Sequence, residues 1–349
     1  MSIPPVPPSV PSMRLHESES GLLQYSLASL NLARYGTAMI FKIRALSYLQ
    51  QSLQLGNVGP RTAQHLMASM LLYLCETYQI TSTTKDWAEY LCGAKQIISS
   101  GVLVREVHTD LSILFDWVAY HETFARFGLV YWKPAAAMRA AKFCTMDPAA
   151  VKAFVPRNDF GCDREVLSHT SEIFISLIPQ ITSDTRLSHV QMQNFYALEA
   201  KLRTGLLDLK ASSASSDESS NDREKTTELY RLGALIYLNR AALGYSGEEP
   251  RHKSLVNKGL DILCSKLSYI PPWPAFMIAC EAKEDSQRMI ALDILNKAGE
   301  DARSYNMRLM RQLVEACWNQ DDLHEDEAFD YHMKLRLAIK CAPYVPPFS

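Results

Sequence analysis

The sequence predicts an all-α fold, a multi-helix bundle of roughly a dozen packed helices. Apolar residues recur at intervals of three and four along most of the 349-residue chain, as they do on the buried face of a helix. Period-two alternation rich in Val, Ile and Thr is nearly absent, and GVLVREV at 101–107 is the one strand-like run. A single strand makes no sheet, so helices must supply the architecture.

The first half of the domain contains five predicted helices. Five prolines within the first twelve residues predict a disordered Pro-rich tail over 1–19, and we expect the domain to span 20–342. The predicted helices cover 22–35, 40–55, 62–80, a segment from Thr83 or Thr84 to Ile98, and 109–128. Gly93 lies inside the fourth helix, where glycine weakens a helix, so we expect a neighbouring backbone to approach it closely.

The second half repeats the helical pattern after two interruptions. Residues 129–163 contain three prolines and predict short helical turns and loops, followed by helices at 163–180 and 187–209. Residues 211–224 hold six serines and five charged residues and predict a flexible Ser-rich, acidic loop. Further helices are predicted at 226–243 and 252–270 and in the segments PAFMIACEA, DSQRMIALDILNKAGEDA and NMRLMRQLVEACWNQDD, and residues 343–349 are expected to form a C-terminal tail.

The segment PPWPAFMIACEAKEDSQR, residues 271–288, combines a stiff turn with a buried helix. Pro271 and Pro272 end the preceding helix, and Pro274 has the fixed φ suited to the first turn of a new one. The apolar residues that follow are expected to fill a core between helices. We expect the charged residues from Glu281 to Arg288 to mark the exit of the chain to solvent.

Charge and composition argue against DNA binding and against a membrane protein. The 36 basic and 38 acidic residues give a net charge of −2, which provides no overall attraction for a polyanion. No stretch approaches the ~18 apolar residues of a spanning helix, and residues 1–20 do not resemble a signal peptide. We therefore expect an intracellular protein that does not insert into membranes.

The eight cysteines do not predict a zinc site. They occur singly, and no CxxC pair is present. A zinc cluster needs close cysteine pairs, because two ligands on one short turn must reach the same ion. The cysteines are expected to be reduced thiols within or near the core.

No catalytic motif is found, so the sequence predicts neither an enzyme nor a cofactor. HETFA at 121–125 lacks the second histidine of the HExxH zinc motif, because its fifth position is Ala125. DDLHEDE at 321–327 could hold a cation, but it lacks the glycine and the spacing of a calcium loop, which favours a solvated acidic surface. His121 and His169 are isolated candidates for acid–base chemistry without an identifiable partner.

Two sets of residues are candidates for binding. Aromatic residues on two of the predicted helices could line an apolar ligand pocket or form a solid core, and the sequence leaves both open: Trp117, Tyr120, His121, Phe124, Trp273 and Phe276. Arg308 and Arg311 share a helix face and could bind an acidic partner or ligand. Ion pairs from these arginines to Glu281 or Glu284 are the alternative.

Three ordered segments resemble the fungal-specific transcription factor domain family, the C-terminal regulatory domain of fungal zinc-cluster transcription factors. They are DWAEYLCGAKQIISSG at 86–101, the segment at 271–288, and MRLMRQLVEACWNQDD at 307–322. The resemblance runs from about Leu22 to Asp322. The residues that carry it most clearly are Trp87, Gly93, Ala94, Pro272, Trp273, Pro274, Arg311 and Trp318.

The resemblance implies a transcription-regulatory protein whose all-α domain responds to a small apolar ligand or binds other transcription proteins, and a homodimer is among the expected assemblies. It also implies a nuclear location, with the cytoplasm as the alternative. The family carries a zinc cluster ahead of this domain, and this sequence has none, so we expect no direct contact with nucleic acid; an upstream exon missing from the gene would explain that difference equally. The alternative function is a helical scaffold reused as an enzyme or carrier for an apolar secondary metabolite.

Overall fold

A computed structural model describes residues 43–49, 62–78, 87–99, 109–132, 162–183, 185–212, 218–300, 305–324, 329–343 and 346–349. These residues contain twelve helical segments and no strand, so the prediction of an all-α bundle is confirmed. In chain order the helices are α1 (43–49), α2 (Thr62–Tyr78), α3 (Trp87–Ser99), α4 (Thr109–Trp132), α5 (Arg164–Ser183), α6 (His189–Ser212), α7 (Glu218–Ala241), α8 (Pro250–Cys264), α9 (Pro272–Cys280), α10 (Asp285–Glu300), α11 (Tyr305–Leu323) and α12 (Tyr331–Lys340).

Helix α7 forms the centre of the bundle. Every residue from 226 to 239 is buried, and α7 packs against α5, α6, α8, α9 and α12. A helix that is apolar on all sides is stable only when other helices surround it. Gly233, in the middle of α7, faces the ring of Trp273 and the backbone of Pro274, so the absence of a side chain lets α9 approach closely.

Helix α9 begins as the proline pattern predicts. Pro271 is its extended N-terminal cap, and prolines occupy the first turn, where a missing N–H costs nothing. Every residue from 271 to 282 is buried. The expectation that the chain reaches solvent at Glu281 was wrong, because this carboxylate lies inside the protein and exposed residues begin at Lys283.

In the described part of the chain the hydrophobic core has two main parts that meet at α4, and Ala68 and Leu71 form a minor third cluster. The larger cluster contains the buried residues of α5 to α12, together with the second half of α4. The smaller one joins α2, α3 and the first half of α4 around Tyr73, Trp87 and Leu91. Helix α4 is long enough to contribute to both clusters and therefore connects them.

Several predicted boundaries differ in the structure. Residues 211–212 and 218–224, expected in a loop, are helical, while 213–217 lie outside the described residues. Asp222 accepts a hydrogen bond from the Ser268 amide, which anchors the first turns of α7. Helix α12 was not predicted, although Asp330 caps it by accepting a hydrogen bond from the Met333 amide. The predicted tail at 1–19, the helix at 22–35, the run GVLVREV and residues 133–161 lie outside the described residues.

Residues 346–348 of the predicted C-terminal tail pack into the domain, and residues 344–345 lie outside the described residues. Pro346, Pro347 and Phe348 are buried, and Phe348 belongs to the larger core cluster. Burial of the Phe348 ring removes apolar surface from water, which offsets part of the conformational freedom that the short segment loses.

Candidate functional site

The aromatic residues proposed as a pocket lie largely in one packed cluster. Phe124 contacts Tyr120 and Trp273 with ring centroids 5.2 and 5.3 Å apart, and Phe276 belongs to the same cluster. The gaps between these rings are filled by other aromatic side chains from α4, α5 and α7: Phe127, Phe174, Tyr230 and Tyr237. Centroid separations of 5 to 6.5 Å are those of rings in direct contact.

The two remaining pocket candidates lie toward the smaller cluster. His121 is buried, with Tyr73 4.7 Å and Tyr120 5.0 Å away, and burial lowers its pKa to about 3. It is therefore neutral at physiological pH. Trp117 is only partly buried and lies 6.1 Å from His121.

The tyrosine hydroxyls of this core bond to each other. Tyr120 and Tyr230 have hydroxyl oxygens 2.6 Å apart, and Tyr131 and Tyr237 have theirs 2.8 Å apart. Burial raises the pKa of all four hydroxyls above the usual value. They stay protonated and serve as structural hydrogen-bonding groups.

The segment Pro346–Ser349 completes this region. The Phe348 ring lies 4.9 Å from Phe127 and 5.0 Å from Phe276, measured between centroids. The Ser349 hydroxyl lies 2.8 Å from the Tyr73 hydroxyl and 2.9 Å from His121 Nδ1. Two of the pocket candidates, His121 and Phe276, therefore contact the chain's own last residues.

A second feature is a buried charge network around Glu281, at the end of α9. Its Oε2 atom lies 3.1 Å from Arg240 Nε and 3.2 Å from His252 Nε2. Lys334 Nζ lies 3.9 Å from Glu281 Oε1 and 2.7 Å from Asp321 Oδ2. The network joins α7, α8, α9, α11 and α12 at one point.

Electrostatics keeps Glu281 charged despite its burial. Burial alone would raise the pKa of this carboxyl, but Lys334, Arg240 and His252 outweigh that effect and lower the pKa to about 2. Burial alone would lower the pKa of Lys334, and Glu281 raises it instead. Each charge is stable inside the protein only because its partner is present.

Sequence reasoning missed the partners of Glu281. Arg240, His252 and Lys334 come from three different helices, between 29 and 53 residues away in the chain. Arg240 and Lys334 are charged residues within largely apolar segments, LIYLNRAAL and YHMKLRLAIK, whereas His252 lies in the polar run PRHKS. That pattern could have indicated buried charges, although not which ones meet.

The family-like residues serve structural roles. Trp87 is buried in the smaller cluster, edge-on to Tyr73, and Ala94 packs beside it. Among the described residues no atom lies within 4 Å of the position that a Cβ of Gly93 would take, so the predicted close backbone contact was wrong. Trp318 donates its indole N–H to the Ala279 carbonyl and lies under the Arg288 guanidinium.

Arg308 and Arg311 line a polar surface cleft of about 580 Å³ between α10 and α11. Arg311 bonds to Glu315 and to the Asn296 side chain. The expected ion pair from Arg311 to Glu281 or Glu284 was therefore wrong: Glu281 pairs within the core.

The candidate metal sites are not formed in the described part of the chain. Glu122 of HETFA bonds to Lys95 and Arg126, and these cations lower its pKa although burial alone would raise it. In DDLHEDE, Asp321 and Asp322 pair with Lys334 and Arg288, and residues 325–327 lie outside the described residues. No group of three or more His, Cys, Asp or Glu side chains is placed to hold a metal among the described residues. His169 is buried on α5, and burial lowers its pKa.

Comparison with known proteins agrees with these landmarks. Residues 22–337 match the model of the fungal specific transcription factor domain. The chain is also similar to the transcription factor iacI of Pestalotiopsis fici, with 30% identity over 338 residues that cover 95% of this chain and 85% of the relative. No solved structure matches the chain. This protein belongs to the fungal-specific transcription factor domain family.

Proposed function

We propose that this chain is the regulatory domain of a transcription factor and that it works through contacts with partner proteins rather than by reading DNA bases. Family membership gives it a transcription-regulatory role. The observation that carries the proposal is the packed aromatic interior, in which most of the candidate pocket residues contact one another and their neighbours. Recognition is then left to the surface.

The charge distribution supports this proposal. The net charge is −2, and several basic side chains on the second half of the domain pair with carboxylates. Lys253 and Lys283 both contact Glu248, Arg288 contacts Asp322, and Arg311 contacts Glu315. Neutralised cations release few counterions from a phosphate backbone, so they add little affinity for DNA.

Among the described residues, no helix is both long and apolar enough to cross a membrane. A nuclear location agrees with the proposed role and remains a prediction. Binding to other transcription proteins and formation of a homodimer are the partner expectations that follow from it.

A fusion experiment tests the proposal. The chain is joined to an unrelated DNA-binding domain and expressed with a matching reporter gene, and we expect reporter transcription to change at least several-fold. A fusion carrying Trp273→Ala, which removes the most buried indole of the core, is the inactive control. In parallel, anisotropy of labelled oligonucleotides at about 150 mM salt should show no binding tighter than non-specific, ~10⁻⁶ M.

The alternative function as a ligand carrier makes a different prediction. Native mass spectrometry of the purified chain would then show a co-purifying small apolar molecule in stoichiometric amount. Our proposal expects the mass of the chain alone or of its dimer. A silent fusion together with salt-resistant binding of one DNA sequence would overturn the proposal.

A further inference from the structure

The segment Pro346–Ser349 occupies its position as a bound peptide would. We propose that it is a displaceable strap, and that the groove it fills is a docking site for a partner peptide of the same chemistry: proline residues, then an aromatic side chain, then a hydroxyl group. This inference rests on the proposed function in partner binding. The groove is defined here by Tyr73, His121, Phe127, Gly128 and Phe276.

The groove has an apolar seat for one aromatic ring. Phe127 meets the Phe348 ring edge to face, with an interplanar angle of 90°, and Phe276 is tilted by 56° against it. Gly128 forms the floor, because a Cβ atom there would overlap the Pro346 carbonyl oxygen and crowd the Phe348 ring. The backbone of helix α4 is thus bare where the segment crosses it.

The far end of the groove is polar. The Tyr73 hydroxyl and His121 Nδ1 both reach the Ser349 hydroxyl, and both side chains are themselves buried. Ser349 is only partly buried, so this end of the groove opens toward solvent. A partner peptide could enter there and replace the Ser349 hydroxyl with one of its own at Tyr73 and His121.

The backbone of the strap is strained. Phe348 has a φ of 57°, and it is the one non-glycine residue with positive φ in the described part of the chain. L-residues rarely adopt this conformation, so the ring contacts must hold it in place. A peptide that fills the same seat with a relaxed backbone avoids the cost of this conformation.

Displacing the strap would change the domain as a whole. Phe348 belongs to the larger core cluster, whereas Ser349 bonds to Tyr73 of the smaller one. The strap therefore connects α2 to the main bundle independently of α4. Peptide binding in the groove would loosen that connection, which gives partner binding a structural consequence.

A labelled peptide tests the groove in the full-length protein. The probe is PYVPPFS, the sequence of residues 343–349, with a fluorophore at its N-terminus and an amidated C-terminus. We expect Phe348→Ala, which vacates the seat, to bind the probe at least 10-fold more tightly than the wild type. Adding Gly128→Ala should reverse the gain at least 10-fold, and a probe with Ala in place of Phe should bind neither protein.

Hydrogen exchange in the wild type provides a test that does not depend on a variant folding. A displaceable strap opens without global unfolding, so the amides of Phe348 and Ser349 should exchange at least 10-fold faster than those of α7. Added probe should accelerate them further. Exchange no faster than in α7, or a gain in Phe348→Ala that Gly128→Ala does not reverse, would overturn the strap.

These outcomes are separate from those of the reporter fusion. If the fusion leaves reporter transcription unchanged while peptide binding and hydrogen exchange behave as expected, the proposed function is wrong and the groove proposal stands. An active fusion with a strap that exchanges only by global unfolding would do the opposite.

Discussion

Glu281 carries a charge in the interior of the protein, and its three basic neighbours determine what a substitution costs. Glu281→Gln leaves Arg240 and Lys334 buried without their shared counter-charge. Breaking a buried ion pair on one side costs about 3–5 kcal/mol, and we expect a loss of that size in the free energy of unfolding at pH 7. Glu315→Gln is the matched control, because its pair with Arg311 is exposed and contributes ~0.5 kcal/mol.

The same carboxyl predicts a dependence on pH. Its pKa in the folded protein, about 2, lies below the ordinary value of 4.5, so its stabilisation is complete above pH 4.5 and is lost as the pH falls toward 2. Urea unfolding of the wild type and of Glu281→Gln at pH 7, 5 and 3 should show two stabilities that converge with acidity. A gap between them that stays constant would contradict the pKa assignment.

Two buried tyrosines, Tyr131 and Tyr331, differ in whether their hydroxyl groups have hydrogen-bond partners, and this difference predicts different costs of substitution by phenylalanine. The Tyr131 hydroxyl bonds to the Tyr237 hydroxyl and to His332 Nδ1, whereas the Tyr331 hydroxyl has no hydrogen-bond partner among the described residues. Tyr131→Phe should lower the free energy of unfolding by about 1–3 kcal/mol, because it leaves buried groups unsatisfied.

Tyr331→Phe should change stability by no more than ~0.5 kcal/mol or increase it, because it removes an unsatisfied hydroxyl. The ring that faces the Arg240 guanidinium is retained. Guanidinium unfolding of both variants provides the comparison. Equal costs for the two substitutions would mean that the Tyr331 hydroxyl is satisfied in solution.

Substituting two helix glycines by alanine distinguishes the effect of helix propensity on stability from the effect of packing between helices. Gly93→Ala in α3 has open space around the new methyl group, so the gain in propensity should stabilise the protein by about 0.5–1 kcal/mol. Gly233→Ala in α7 places that methyl 3.1 Å from the Trp273 ring and 3.3 Å from the Pro274 Cα atom. Overpacking should cost about 1–3 kcal/mol. Thermal unfolding measures both, and a stabilised Gly233→Ala would show that α9 can move away from α7.

The sequence predicted elements where local pattern was sufficient. Helices α2, α9 and α10 lie close to their predicted positions because apolar spacing and proline placement act within one segment. It failed for 218–224, where a serine-rich and charged composition suggested a loop although α7 continues through it. It also failed for α12, whose start at Asp330 follows an acidic run that masks the cap.

The sequence identified many of the residues of the candidate site but not which of them are in contact. The aromatic residues on α4 and α9 were identified, and most of them meet. The contacts of Ser349 with Tyr73 and His121 span 276 and 228 residues, and no local window includes both partners. Glu281 was assigned to the surface for the same reason, since charged neighbours follow it directly while its basic partners lie on other helices.

At the scale of the whole molecule, the two core clusters predict unequal stability. The smaller cluster is built from α2, α3 and part of α4, and a small core opens more easily than a large one. Leu91→Ala in α3 and Leu235→Ala in α7 remove the same buried side chain from the two clusters, at an expected cost of about 2–5 kcal/mol each. Hydrogen exchange shows which helices each substitution destabilises.

Leu91→Ala should accelerate exchange in α2 and α3 and leave the amides of α7 nearly unchanged, because those helices reach the rest of the domain mainly through α4. Leu235→Ala should accelerate exchange throughout the larger cluster, because α7 packs against most of its helices and global unfolding becomes easier. Comparable acceleration of α7 by both variants would show that the two clusters unfold as one unit. Helix α4 would then couple the unfolding of the two clusters completely, and that result would contradict the hypothesis that α2 and α3 open separately.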